Sequence, residues 1–219
     1  MPLVLQEALD PPGEWGTWSI TESEAALLRE VRLFPEEAAQ FAAIRGAGRR
    51  REFLAARLLL HRMSGRGERG ELFKDEHGKP HLRGSIFHVS ISHTHGFSAA
   101  IAHPRPCGVD IQAMVPRISR LAHKFVGEAE EAAVSGIYDD IPLLHLIWSA
   151  KEAMYKAYGL RQLDFRRDLH VDLTEYPNGT GRLCTHLSTV DTKMNFRLWY
   201  RMTPQNVLVG VVSNDPEND

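Results

Sequence analysis

The chain has 219 residues, is 43% hydrophobic and 25% charged, and carries a formal net charge of −2 at pH 7. That length supports one domain or two small lobes with a real core, and the near-neutral charge argues against a nucleic-acid binder, whose affinity needs a large positive field. The two cysteines, Cys107 and Cys184, are too few for a disulfide scaffold or a structural zinc site. No apolar run reaches the length of a membrane span, and MPLVLQEALD lacks the basic-then-apolar order of a signal peptide, so the expected setting is a reducing cytoplasm without membrane attachment.

In chain order, Thr21-Glu22-Ser23-Glu24 predicts a capping box opening a helix through about residue 31. Pro35 suits the first turn of a second helix through about residue 44. A longer helix follows over residues 49–63, with Phe53, Leu54, Leu58 and His61 on helical spacing, and Ser64-Gly65-Arg66-Gly67 ends it. The chain then turns to strands. Leu72-Phe73 and His81-Leu82 flank the turn Asp75-Glu76-His77-Gly78-Lys79-Pro80. Residues 85–92 alternate, with Phe87, Val89 and Ile91 on one face. Residues 97–102 and 107–111 are short apolar strands separated by His103-Pro104-Arg105-Pro106.

Helices are expected next over residues 119–125, 127–135 and 142–158. In the last, Leu143, Ile147, Ala150, Met154 and Ala157 step by four and three and make one apolar stripe. Two hairpins close the chain. One pairs residues 169–175 with 182–188 around Asn178-Gly179, the other pairs 194–201 with 207–213 around Thr203-Pro204-Gln205. Helices then strands, twice over, predict two α+β lobes rather than a wound parallel sheet. The polar tail from Asn214 is expected to fray.

Asp110 and Gln112 share one strand parity, opposite Cys107, Val109 and Ile111. Two oxygen-bearing side chains on one strand face, about 7 Å apart, converge on an ion or, for Asp110 alone, cap the next turn. Glu152 and Lys156 share a helix face opposite the apolar stripe. Taken alone they are an exposed ion pair worth about 0.3–0.5 kcal/mol. His93 follows Ser92 at a strand end before Gly96, a placement suited to phosphate oxygens. His88, His93, His95 and His103 match no closed zinc spacing, and no G-x-S-x-G elbow surrounds Ser92. Arg49, Arg50 and Arg51 gather cations at a helix start, against the macrodipole, and an anionic ligand would relieve that cost.

These segments together resemble the 4′-phosphopantetheinyl transferases of the longer, single-chain, two-lobe type. The resemblance runs from about residue 49 to 212 through RRREFLAARLLL, GKPHL, SISHT, GVDIQ, KFVGEAE and WSAKEAMYKAYG, in that order. It implies two similar, pseudo-symmetric α+β lobes, residues 1–104 and 105–219, with coenzyme A held in the cleft between them. The first lobe would contact the adenosine end, and the second would carry the metal site and the catalytic helix. Carried over, Asp110 and Glu152 bind magnesium (manganese suits the same oxygens), with Gln112 beside them. Lys151 and Lys156 hold the pyrophosphate region. Arg49, Arg50, Lys79, Pro80, Ser92 and His93 hold the adenosine end and its 3′-phosphate, with Arg45 or Arg51 as substitutes in the arginine register. Glu130, in GEAE, falls near the reacting centre. Many relatives have glutamate where this chain has Gln112, an amide that ligates without charge and cannot act as a base.

The implied reaction transfers phosphopantetheine from coenzyme A to a serine of an acyl or peptidyl carrier protein and releases adenosine 3′,5′-bisphosphate. Glu152 is the expected base, with Glu130 second, and Lys156 stabilises developing charge. A carrier of this system is acidic and helical, and Arg117, Arg120 and Lys124 on one helical face, with Ile118, Leu121 and Phe125 on another, offer a contact for it. Two fused lobes suggest a monomer. A non-catalytic carrier-protein or nucleotide-binding module and a magnesium-dependent phosphodiesterase are the competing readings.

Overall fold

Two strands that periodicity does not predict, β1 (Leu3–Ala8) and β2 (Glu14–Ser19), begin the computed structural model, which describes residues 3–160, 162–174, 176 and 179–214. They escape a pattern-based reading because β2 is broken at its centre by Gly16. A Cβ there would stand 2.7 Å from the Leu5 carbonyl oxygen and 3.2 Å from Leu59, so the glycine admits both neighbours. The chain divides into two units, Met1–Pro104 and Arg105–Asp219. Both are α+β, an antiparallel sheet with helices, as the sequence predicts.

In the first unit the sheet order is β1-β2-β6-β5-β4-β3, with β3 Leu72–Lys74, β4 Pro80–Leu82, β5 His88–Thr94 and β6 Phe97–His103. Three helices precede β3: α1 (Glu24–Val31), α2 (Pro35–Ala43) and α3 (Ala47–Ser64). The true N-cap of α1 is Ser23, whose Oγ accepts the Ala26 N–H at 3.3 Å, two residues beyond the Thr21 expected from the capping-box pattern. The Glu22 carboxylate is drawn back instead to the N–H of Thr21 at 3.0 Å. Helix α3 lies across β2, β5 and β6. Its Leu54, Leu58 and Leu59 join Trp18, Leu27, Val31, Val89 and Ala100 in the core, and Gly65 ends it in the left-handed conformation at φ 61°.

The first unit also buries charge. Glu37 of α2 is 0% exposed. It accepts N–H groups from Phe34 (3.1 Å) and Leu72 (3.1 Å) and pairs with Arg57 of α3 (3.3 Å) and Arg69 (2.8 Å). Burial brings the Arg57 guanidinium down to about 10. Burial pushes the Glu37 carboxyl up, but Arg69 and the two backbone N–H groups outweigh it and leave the group below its ordinary value.

In the second unit the order is β7-β11-β10-β9-β8, with β7 Cys107–Ala113, β8 Leu169–Val171, β9 Thr180–Ser188, β10 Lys193–Met202 and β11 Asn206–Ser213. Helices α4 (Glu128–Ala133) and α5 (Ile141–Tyr158) fall between β7 and β8. Each unit therefore opens on strands, a correction to the helices-then-strands order. The predicted stripe Leu143, Ile147, Ala150, Met154 and Ala157 is buried, but so are Leu144, His145, Leu146, Ser149, Lys151 and Ala153. Helix α5 is thus enclosed on nearly every side rather than along one seam.

The segment expected as a helix over residues 119–125 is a 3₁₀ run, Pro116–Lys124. Its inward residues are Ile118 and Ala122, followed by Phe125, whereas Leu121 is 44% exposed. The Thr203 turn between β10 and β11 is held by Thr203 Oγ1, which accepts the N–H groups of Gln205 (3.2 Å) and Asn206 (3.1 Å). Asn178, Glu175 and the tail beyond Asn214 lie outside the described residues. Among the described residues, no helix is long and apolar enough to cross a membrane.

Candidate active site

The acidic cluster of the second unit starts from a glycine. A Cβ on Gly108 would stand 1.9 Å from the Ala153 carbonyl oxygen and 2.9 Å from the Ala157 nitrogen, so only glycine lets α5 lie directly on β7. Strand parity then turns Asp110 and Gln112 toward the same helix. Asp110 is 1% exposed. One of its oxygens accepts the Lys156 ammonium at 2.7 Å, and the other accepts the Gln112 amide N–H at 3.1 Å. Lys156 also donates to the Val109 carbonyl at 3.0 Å.

Glu152, one turn before Lys156, is half-buried. Burial raises its carboxyl above the ordinary value. The charge of Asp110 raises it further, and Lys156 works against both. The two carboxylates therefore feel each other across the contact between β7 and α5. The sequence-predicted residues Asp110, Gln112, Glu152 and Lys156 are brought together.

Lys151 and Glu130 are placed differently. Both are 0% exposed and pair with each other at 2.9 Å. Lys151 donates its other two N–H bonds to the carbonyls of Phe125 (2.7 Å) and Phe165 (2.8 Å), so all three have acceptors. Glu130 accepts the N–H of Gly127 (2.6 Å) and of Val171 (3.0 Å). Gly127 is glycine for a spatial reason, since a Cβ there would meet the Arg166 carbonyl oxygen at 2.6 Å and Glu130 itself at 2.7 Å. Around this pair, Trp148 packs between Phe125 (centroids 5.2 Å apart) and Phe165 (5.5 Å), and Tyr155 meets Phe165 at 5.7 Å.

In the first unit, Arg49 and His93 meet. The Arg49 guanidinium donates to His93 Nε2 at 2.9 Å, and Nδ1 lies 3.2 Å from the Glu52 carboxylate. The consistent tautomer has Nδ1–H donating to Glu52. Glu52 is a residue that sequence reasoning missed. Its signal was the three-residue spacing from Arg49, which puts both on one face of α3. Ser98 Oγ donates to the Glu52 carbonyl at 3.1 Å and ties that turn to β6. Ser92 is buried beside His93.

Arg50 is engaged elsewhere. It forks onto Glu24 of α1 at 2.7 and 2.9 Å and lies 3.9 Å over the Phe41 ring. Lys79 and Pro80 close the expected turn, which is organised by its first residue, Asp75, through bonds the sequence did not show. One Asp75 oxygen accepts the N–H groups of His77 and Lys79, both at 2.9 Å, and the other pairs with His81 at 2.9 Å. Gly78 holds φ at 87° in the same turn.

Among the described residues, no group of three or more histidine, cysteine, aspartate or glutamate side chains is arranged to hold a metal ion. The donor set at β7 and α5 is two carboxylates and an amide. That fits magnesium, which takes one or two protein carboxylates and completes its shell with phosphate oxygens and water.

The sequence matches the 4′-phosphopantetheinyl transferase superfamily over residues 106–212 and the 4′-phosphopantetheinyl transferase N-terminal domain over residues 36–103. The chain belongs to the 4′-phosphopantetheinyl transferase family, in its longer two-domain form. A comparison with curated proteins returns no match.

Proposed function

We propose that the protein transfers the 4′-phosphopantetheine arm of coenzyme A to a serine hydroxyl of an acyl or peptidyl carrier protein, releasing adenosine 3′,5′-bisphosphate. The observation that carries this reading is the Lys156–Asp110 ion pair at 2.7 Å, which joins α5 to β7 with Glu152 one turn before Lys156 on the same helix. Membership of the transferase family supports phosphopantetheine transfer in general.

Asp110 and Glu152 are the residues that would hold a divalent cation, with Gln112 turning its amide N–H to Asp110 and steadying that carboxylate. When bound, the cation supplies positive charge against the pyrophosphate. Lys156, whose ammonium lies 2.7 Å from Asp110 and is 26% exposed, would stabilise charge developing at the attacked phosphorus. Glu152 accepts the serine proton, directly or through water. Glu130, second in the sequence reading, is 0% exposed and accepts Lys151 and two backbone N–H groups, which favours Glu152.

Contacts to the adenosine end and its 3′-phosphate fall to the first unit: Arg49 with His93, the Lys79-Pro80 turn, and Ser92. Arg50 is committed to Glu24, so Arg49 takes the leading part, with the exposed Arg45 available near it in sequence. The acidic carrier meets the 3₁₀ segment through the exposed Arg117, Arg120, Leu121 and Lys124. The protein works as a cytoplasmic monomer.

Mass spectrometry of an apo carrier protein after incubation with coenzyme A and magnesium tests the whole reading. A mass gain of one phosphopantetheine arm on serine is expected. Hydrolysed coenzyme A with an unmodified carrier would instead establish a phosphodiesterase, and no turnover would leave a binding module.

A further inference from the structure

We infer that the Glu130–Lys151 pair is a positioning device for Glu152, holding α5 at the rotation that turns Glu152 toward Asp110, and that Lys151 is not a phosphate ligand. The inference rests on the function proposed above.

The first argument is one of valence. An ammonium has three N–H bonds, and Lys151 gives them to Glu130, Phe125 and Phe165, all within 2.9 Å and with no exposed surface. An anion from solution would have to displace one of these acceptors from a dry interior.

The second argument is one of energy. A buried ion pair is no more stabilising than a well-packed apolar pair of the same volume, because desolvating both charges cancels much of their attraction. What the pair supplies over apolar packing is direction. Five donor–acceptor contacts tie α5 through Lys151 to residues 125 and 165, and through Glu130 to Gly127 and β8.

The third argument is one of angle. At 3.6 residues per turn, Lys151 and Lys156 lie about 140° apart around α5, with Glu152 between them. Lys156 is fixed to Asp110 and Val109 on β7, and Lys151 is fixed to the opposite flank. Gly108 against Ala153 sets the distance of the helix from β7, which leaves rotation about the helix axis as the motion to be stopped. The two lysines stop it from both sides. Trp148 and Tyr155, packed on Phe125 and Phe165, line the same flank as Lys151.

The test compares Lys151→Met, Glu130→Gln and the double variant with the parent protein. Coenzyme A binding is measured by calorimetry, Mn²⁺ binding by electron paramagnetic resonance, and kcat by carrier modification. The expected result is coenzyme A binding within about twofold of the parent for all three. Mn²⁺ binding weakens at least tenfold, kcat falls by a similar factor, and the double variant is no worse than either single one. Coenzyme A binding weakened tenfold by Lys151→Met and untouched by Glu130→Gln would make Lys151 a ligand and overturn the inference. Unchanged Mn²⁺ binding in both single variants would overturn it as well. If Lys151→Met does not fold, Glu130→Gln alone decides, since a phosphate-binding Lys151 predicts no effect from it. Failure of the parent protein to modify any carrier would count against the proposed function. The two binding measurements would still judge the pair.

Discussion

The Ala153 carbonyl oxygen occupies the place that a side chain at position 108 would need, 1.9 Å from where its Cβ would stand. Because the obstacle is backbone in the middle of α5, it cannot swing aside. Gly108→Ala should therefore push α5 away from β7 and separate Asp110 from Glu152. The expected cost is about 3 kcal/mol, a fall in Tm of roughly 6–12 °C for a chain of this size. The coenzyme A-dependent activity should fall further than stability explains. A variant with the parent's Tm and activity would show that the helix has slack here.

Asp110 and Glu152 should be separable from the scaffold. Glu152→Gln and Asp110→Asn keep shape and remove charge, so transfer in magnesium buffer should fall by about 10²–10³-fold with little change in circular dichroism. Lys156→Ala should show a comparable loss, and it leaves Asp110 buried without its ammonium. Near-normal transfer by either carboxylate variant would remove the assignment.

Glu37→Gln tests the buried network of the first unit. It leaves Arg57 and Arg69 facing a neutral amide, and Arg57 has only 2% of its side chain exposed. Removing one partner of a buried ion pair costs about 3–5 kcal/mol. The urea midpoint should drop accordingly. A loss below about 1 kcal/mol would be the behaviour of a solvated surface pair.

Stability should decline on mild acidification. His145 is 2% exposed, and its Nε2 accepts the Val115 N–H at 2.9 Å, which requires the neutral ring. Burial holds it below the ordinary histidine value, and burial does the same to His61 and His186. Between the lowered values and about 6.5, the unfolded chain binds protons that the folded chain refuses, so stability is full above about pH 6.5 and falls below it. Glu37 and Asp168, both held low, lose their contribution only as pH drops through the carboxylate range. Tm measured from pH 7.5 to 5.5 should fall, and His145→Gln should flatten the slope. A flat profile in the parent protein would refute this.

Charge reversal at Arg117 and Arg120 should raise the KM for the carrier protein while coenzyme A binding stays put. Both side chains are exposed and neither enters the packed interior. An unchanged carrier KM would move the docking surface elsewhere.

The sequence made the long helices legible because their spacing is local. The stripe from Leu143 to Ala157 could be read without knowing its partner, and so could the parity that sets Asp110 beside Gln112. The α+β class followed from the same patterns. What stayed hidden depends on pairs far apart in the chain. Trp15 and Trp18 of β2 are buried, but the Gly16 between them breaks the alternation. Glu52 could be placed on the Arg49 face of α3 by spacing alone, but its role shows only against His93, 41 positions on. Lysine composition carries no sign that Lys151 would be wholly buried while Lys156, five residues further along, stays partly exposed and reaches the buried Asp110.

The two sheets end unequally, and this bears on how the protein behaves when crowded. One border of each is a strand of three residues, β3 in the first and β8 in the second. Strands that short offer a foreign chain few backbone groups to dock against. The longer borders are β1 and β7. Aggregation of partly loosened protein should therefore begin along β1 or β7, and a lysine or proline set into the outward positions of β1 is the simplest way to raise the working concentration.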